Sequence, residues 1–365
     1  MILEDAKVHL YYIVNHFRFF CNDIFLLCLS KEKISSILPK TPVYFWRFLL
    51  TFCIYQTERM FIIMTISLFS GQGSQYSGMG KDLAEAMPAL RSIYETGSEI
   101  LGRDLAAVCF DSTDEELSRT INAQPAIMAT SIACLEAAKS KGFTFEGVAG
   151  HSLGEYAAMY ASGMVTLEDA FRLIKARAEA MEEATRQSAG AMAAIMKIEP
   201  EKVEEVCSAA KNYVTAVNYN SPVQTVIAGT PEGIEEVSEI FAGMKARVIT
   251  LNVAGAFHSK LMQPAADKFY ETAKTISFSA PQVKYYSNVT GGELTDFSDM
   301  ASLLAKHIVS PVRFTSELAA MQADGADRFV EFGPGKTLTG LVKKTLKDVT
   351  ALNVENLETL EGALS

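Results

Sequence analysis

The sequence predicts an α/β protein in which a large subdomain, built on a mostly parallel sheet, carries a smaller βαββαβ unit as an insertion. Three observations carry the prediction. A strand, a glycine-rich loop and a helix follow one another twice, at 65–86 and again at 147–162. Six short elements in the order β, α, β, β, α, β occupy 189–252. The chain then closes with a further strand, a Gly-Pro-Gly turn and a helix.

Taken in order, Thr65 to Phe69 reads as a strand halted by Ser70-Gly71-Gln72-Gly73-Ser74, a tight loop leading into a helix at Met79 to Ala86. Helical stretches run to about Ser140. Gly147-Val148-Ala149 is a brief apolar strand, broken at Gly150-His151-Ser152-Leu153-Gly154 and followed by the helix-like Glu155 to Ser162. The inserted unit comprises strands at Ala191 to Ile198, Val214 to Tyr219, Thr225 to Ala228 and Val248 to Leu251, with helices at Pro200 to Ala210 and Pro231 to Ala242. This is the ferredoxin-like order. The domain organisation expected is therefore a large α/β subdomain over 64–188 and 253–365, interrupted by the small one over 189–252. Arg328 to Phe332, Gly333-Pro334-Gly335 and a helix from Thr337 complete the large subdomain.

Residues 1–63 differ from everything after them. They hold no glycine and one alanine, Ala6, but 13 of the 35 aromatic residues, and they carry a charge of +2 against −12 for the rest. The apolar runs Ile24 to Leu29 and Val43 to Tyr55 are too short for a membrane span, which needs about 18 residues, or are broken by Arg47. An acidic start, Glu4-Asp5, with no small-residue cleavage site after a clean apolar stretch fits a secretory signal poorly. The leader is read as lying outside the fold, with translation expected to begin at Met64.

Composition excludes further classes. A net charge of −10 with no clustered Lys and Arg argues against nucleic-acid binding. Six cysteines without C-x-x-C or regular spacing imply neither a zinc site nor a disulfide framework, and a reducing cytoplasmic setting follows. No His, Asp or Glu cluster has metal-ligand spacing, so no metal is expected. Tyr76 stands where a dinucleotide loop wants its third glycine, and Val330 where a P-loop wants its first, so no nucleotide cofactor is expected.

Gly150-His151-Ser152-Leu153-Gly154 has the form of a nucleophile elbow: a strand before it, a helix after it, and flanking glycines that let a strained turn crowd two elements together. The larger subdomain is accordingly hydrolase-like. The turn would expose the Ser152 hydroxyl at a helix N-terminus, where the Leu153 N–H can serve a developing oxyanion. The base is sought among five histidines. His9 and His16 lie in the leader, His151 is adjacent to the serine with its ring directed away, and His307, among helix-like residues, reads as a surface or packing residue. His258, in the loop Gly255-Ala256-Phe257-His258-Ser259 after a strand, is the favoured base. On a helical wheel Arg177 falls in the apolar arc of Phe171, Leu173, Ile174, Ala178 and Met181, so it points inward. A buried guanidinium needs a partner. That partner is either an internal Asp or Glu or the carboxylate of a substrate.

The F-S-G-Q-G-S-Q loop at 69–75, the G-H-S-L-G elbow, Arg177 at 25 residues past Ser152, G-A-F-H-S, S-N-V-T at 287–290, S-P-V-R-F and E-F-G-P-G-K-T-L-T-G-L together closely resemble the malonyl-CoA:acyl carrier protein transacylases, in order and from Met64 nearly to the end. The resemblance implies malonyl transfer between malonyl-CoA and the phosphopantetheine thiol of acyl carrier protein, in the cytoplasm and by a monomer, without cofactor, membrane or nucleic acid. By position it implies that Ser152 is acylated, that His258 is base and acid, and that Arg177 holds the malonyl carboxylate. It further implies that the N–H groups of Gln72 and Leu153 form the oxyanion hole, with Gln72 also contacting substrate. A main-chain carbonyl of the S-P-V-x segment, at Arg313 or a neighbour, would orient His258. Phe257, together with Leu153, would favour malonyl over methylmalonyl. Asn218 and Asn288 match family asparagines without assigned roles. Ser70 and Arg313 depart from common family residues. Lys336, Lys343 and Lys344 are candidates for docking the acidic carrier protein. A serine hydrolase would instead place an Asp or Glu between nucleophile and histidine and lack the inward Arg. A binding protein retaining the fold would lack the reactive set, and a discrete polyketide acyltransferase would share the chemistry.

Overall fold

The computed structural model describes residues 63–253 and 255–364. The reading that translation begins at Met64 falls on the leader and so lies outside the described residues. Two sheets organise Met64–Ser365. The larger contains β1 (Met64–Phe69), β2 (Gly147–Gly150), β7 (Lys284–Ser287), β8 (Gly292–Glu293), β9 (Ala326–Phe332) and β10 (Thr350–Val354), in the order β10-β9-β1-β2-β7-β8. Its pairings are parallel except for the short β7–β8 edge. Both central strands are buried on two faces, as parallel sheets require. Alternation sorts β1 between two apolar layers: Ile66 and Leu68 join the cluster under Phe314, Leu318 and Leu341, while Phe69 joins the main core.

The smaller sheet contains β3 (Ala191–Met196), β4 (Val214–Ser221), β5 (Gln224–Gly229) and β6 (Arg247–Thr250), antiparallel throughout and ordered β4-β5-β3-β6. Numbered from its own first strand this is 2-3-1-4, the ferredoxin-like arrangement. Ala193 and Ile195 face the two helices of this unit, packing with Val203, Val237 and Phe241, while Met192 and Ala194 turn to the main core. Its outer strand β4 is stitched to the S-P-V-R segment: Val312 N donates to Val217 O at 2.8 Å and Tyr219 N to Val312 O at 2.9 Å.

Four helices position the site. They are α1 (Gly154–Ala161), directly after the elbow; α2 (Leu167–Gln187), capped by the Thr166 hydroxyl; α3 (Met300–Val309); and α4 (Phe314–Ala323). Element bounds differ from the sequence reading by one or two residues at strand and helix ends, where pairing rather than composition decides the limit.

Candidate active site

The elbow is made by two close approaches. A Cβ on Gly150 would lie 2.0 Å from the Gly154 carbonyl carbon, and one on Gly154 would lie 2.1 Å from Phe69 O. Only glycine lets β2 turn straight into α1 against the end of β1. Ser152 takes φ 55°, in the left-handed region, and His258 takes φ 62°. Such backbone costs about 1–3 kcal/mol at each non-glycine residue and persists only where surrounding structure holds it.

Those two residues meet. Ser152 Oγ lies 2.7 Å from His258 Nε2. His258 Nδ1 lies 3.0 Å from both His307 O and Ser310 O. Carbonyls only accept, so Nδ1 carries the proton and Nε2 presents its lone pair to the serine hydroxyl. The acceptors cluster at the C-terminal end of α3, where His307 O also takes the capping Ser310 N–H at 3.4 Å and the carbonyls carry the negative end of the helix dipole. The expected carbonyl at Arg313 or a neighbour is therefore that of Ser310, in the same S-P-V-R segment, together with His307, and the placement at Arg313 itself is corrected. Arg313 O instead accepts from Glu317 N at 3.1 Å in the first turn of α4, and the Arg313 side chain is exposed. His307 is also corrected as regards the surface, because its ring is fully buried.

Arg177 is buried in the middle of α2, as the wheel requires. It forms no ion pair among the described residues. Its Nη2 donates to Ser152 Oγ at 3.0 Å, its guanidinium stands 5.5 Å from the centre of the Tyr156 ring, and its Nε is without a partner. Burial lowers the pKa of Arg177 itself. Burial first, and the Arg177 charge second, push His258 down to about 3, so the imidazole is neutral at pH 7 and able to take a proton.

Gln72 follows β1 in a loop pressed on the elbow: a Cβ on Gly71 would come within 2.7 Å of His151 O. Among the described residues neither the Gln72 N–H nor the Leu153 N–H donates a hydrogen bond, leaving both free for an anionic oxygen. Phe257 is buried beside His258, and Leu153 beside Ser152. The His151 ring is directed away, its Nε2 2.8 Å from Asn220 Oδ1. Asn218 bridges β4 to Val312. Lys336, Lys343 and Lys344 are exposed and form no ion pair among the described residues.

Asn288 does more than the sequence disclosed. Its Oδ1 accepts from Ser152 N at 2.7 Å, and its Nδ2 donates to Gly150 O and to Glu317 Oε1, each at 2.7 Å. Its own N–H donates to the buried Glu155 carboxyl, which burial raises to about 7. Glu317 is raised further by burial and by Glu155. The sequence signal for Glu155 was its place immediately after the elbow, on a helix that faces the core. Among the described residues no group of three or more His, Cys, Asp or Glu could hold a metal ion.

An elbow serine against an imidazole, on a mostly parallel sheet with a ferredoxin-like insert, defines an enzyme of the acyl-transfer class. The family model "Acyl transferase domain" matches residues 66–361. A malonyl CoA-acyl carrier protein transacylase of Bacillus subtilis is 41% identical over 302 residues, covering 81% of this chain and 95% of the relative. One from Escherichia coli K12 is 36% identical, covering 81% and 97%. The crystal structure of the corresponding Clostridium perfringens protein superposes with a TM-score of 0.79 at 37% identity, covering 82% of this chain and 96% of that one. A type II PKS malonyl-transacylase in complex with its acyl-carrier protein gives 0.79 at 34%, covering 82% and 99%. The chain belongs to the acyl transferase family.

Proposed function

We propose that this acyltransferase carries malonyl from malonyl-CoA to the phosphopantetheine thiol of acyl carrier protein, supplying fatty acid synthesis. The observation that carries the reading is Arg177: a buried guanidinium with no ion pair among the described residues, hydrogen-bonded to the serine hydroxyl. A buried cation held beside a nucleophile selects an acyl group with its own negative charge. Malonyl has one, and acetyl does not.

In the first half-reaction Ser152 Oγ attacks the thioester carbonyl while His258 Nε2 takes the hydroxyl proton, and the oxyanion is held by Gln72 and Leu153 N–H. The C–S bond breaks and the proton passes from His258 to the departing coenzyme A sulfur. In the second, His258 removes the proton of the carrier thiol as its sulfur attacks the malonyl ester. Ser152 leaves and regains the proton. Each half needs the same groups, and losing one oxyanion donor typically costs about 10²–10³ in rate.

The His307 and Ser310 carbonyls take the orienting place an Asp or Glu fills in hydrolases. Phe257 and Leu153 narrow the space beside the malonyl α-carbon; exclusion of one methyl is worth about 1–3 kcal/mol, so methylmalonyl is disfavoured without being barred. Serine, imidazole and peptide N–H groups suffice without metal or nucleotide cofactor. Exposed Lys336, Lys343 and Lys344 would meet an acidic carrier. Among the described residues no helix is long and apolar enough to cross a membrane, and we assign the enzyme to the cytoplasm as a monomer. The test is incubation with malonyl-CoA and intact-mass analysis. A malonyl adduct on Ser152, discharged by a carrier thiol faster than by water, supports transfer, whereas an adduct that water removes at least as fast marks a hydrolase.

A further inference from the structure

We propose that the His307 side chain is a positioning residue for both reactive groups, tying the base to the nucleophile elbow through Asn288. The inference rests on the reading that Ser152 and His258 carry the chemistry.

The geometry has two arms. The main-chain oxygen of His307 accepts from His258 Nδ1 at 3.0 Å. The ring of the same residue places Nε2 3.2 Å from Asn288 Oδ1. The orientation of the Asn288 amide follows from its neighbours: Gly150 O can only accept and Ser152 N–H can only donate, so Nδ2 faces the first and Oδ1 the second. Oδ1 must therefore also accept from His307, whose Nε2 carries the hydrogen. The other nitrogen, Nδ1, has no hydrogen-bond partner among the described residues, and stands 4.0 Å from Glu155 Oε2.

The Asn288 amide thus grips the peptide carbonyl before His151 and the peptide N–H after it. It clasps the elbow across the turn in which Ser152 holds its left-handed φ. That conformation needs support from outside the turn. Asn288 gives the support, and the His307 ring steadies Asn288. On α3, Met300, Leu304, His307 and Ile308 form the buried face. An apolar side chain would fill the His307 position by default, so an imidazole buried there with one directed hydrogen bond calls for a reason. The reason is registration: the same residue fixes where the base points and where the nucleophile sits. The sequence separation of these groups, 152 to 258 to 288 to 307, hides the connection until the chain folds.

The test uses the full chain with His307→Leu, which keeps bulk and removes the donor, and His307→Gln, whose amide N–H restores it. Asn288→Ala, the His307→Leu/Asn288→Ala double variant and Ser152→Ala complete the set. Three quantities are read: kcat, KM for malonyl-CoA, and the rate at which a fluorophosphonate labels Ser152 without substrate. We expect His307→Leu to lower kcat and labelling together by about tenfold or more, a size fitting misplacement of reacting groups, with KM within about twofold. His307→Gln recovers most of the loss, and the double variant is no worse than Asn288→Ala alone. Full activity in His307→Leu, a glutamine variant as slow as the leucine one, or losses that multiply in the double variant would each overturn the proposal. Nitrogen NMR of the unmodified protein tests it without any variant: a neutral His307 with its hydrogen on Nε2 supports it, and one with its hydrogen on Nδ1 overturns it. Transfer surviving in Ser152→Ala would instead overturn the site reading beneath it, whereas a dead Ser152→Ala beside a fully active His307→Leu sinks this inference alone.

Discussion

Replacing Arg177 with alanine takes away the buried cation that donates to the Ser152 hydroxyl. A malonyl carboxylate would then enter a water-poor pocket without its partner. Breaking a buried ion pair from one side costs about 3–5 kcal/mol, and the lower figure applies because the truncated side chain leaves room for water. At about 1.4 kcal/mol per decade, malonyl kcat/KM should fall roughly a hundredfold. Acetyl transfer has no carboxylate to lose, so it should stay level or improve. A second signature is electrostatic. The Arg177 charge is, after burial, the largest influence holding the His258 pKa down. Turnover needs neutral His258 and rises with pH through that pKa, so removing the cation moves the acid limb of acetyl transfer to higher pH. The assay is transfer from malonyl-CoA and acetyl-CoA to one acyl carrier protein across a pH series. Equal losses on both substrates, or an acid limb that stays in place, would refute the carboxylate grip.

Ser152→Ala should bind malonyl-CoA yet show no acyl adduct by intact mass; an adduct on another residue would move the nucleophile elsewhere. Gly154→Ala would set a Cβ 2.1 Å from Phe69 O, a methyl group against backbone that has no flexible end to yield. It should destabilise by about 3 kcal/mol, read as a lowered urea midpoint, and an unchanged midpoint would contradict the packing described. Burial raises Glu155 from 4.5 to about 7, so the folded protein keeps a proton that the unfolded chain releases. The associated stability is complete below pH 4.5 and is lost as pH climbs to about 7. Glu155→Gln imitates the protonated form, and its stability relative to the parent should grow over that interval in urea titrations and level off above it. A gap that shrinks with rising pH would reverse the assignment.

What could be read in advance was what local chemistry encodes. Ser152 is flanked by glycines that only a crowded strand-to-helix turn requires, and Arg177 lies in an apolar arc whose period is set by the helix itself. His258 was reached by eliminating the other four histidines. For the orienting carbonyl the S-P-V-x resemblance gave the segment but not the residue, because every residue has a carbonyl. Which one is free depends on where α3 stops, at Val309, and where α4 starts, at Phe314, and composition leaves those ends open. The position of His307 carried a faint signal in its spacing from Met300 and Leu304, the interval of one buried helix face. Asn288 was marked only by the S-N-V-T resemblance, without a role, and Glu317 gave no signal. Their partners lie 136 and 29 residues away along the chain, and only the fold brings an amide between them.

The bridge from β4 to Val312 has a mechanical consequence. Val312 lies two residues past Ser310, whose carbonyl steers the imidazole, so two backbone hydrogen bonds tie the ferredoxin-like unit to the histidine's anchor. A hinge opening that swung this unit away to admit a bulky thioester would drag the base out of line with the serine.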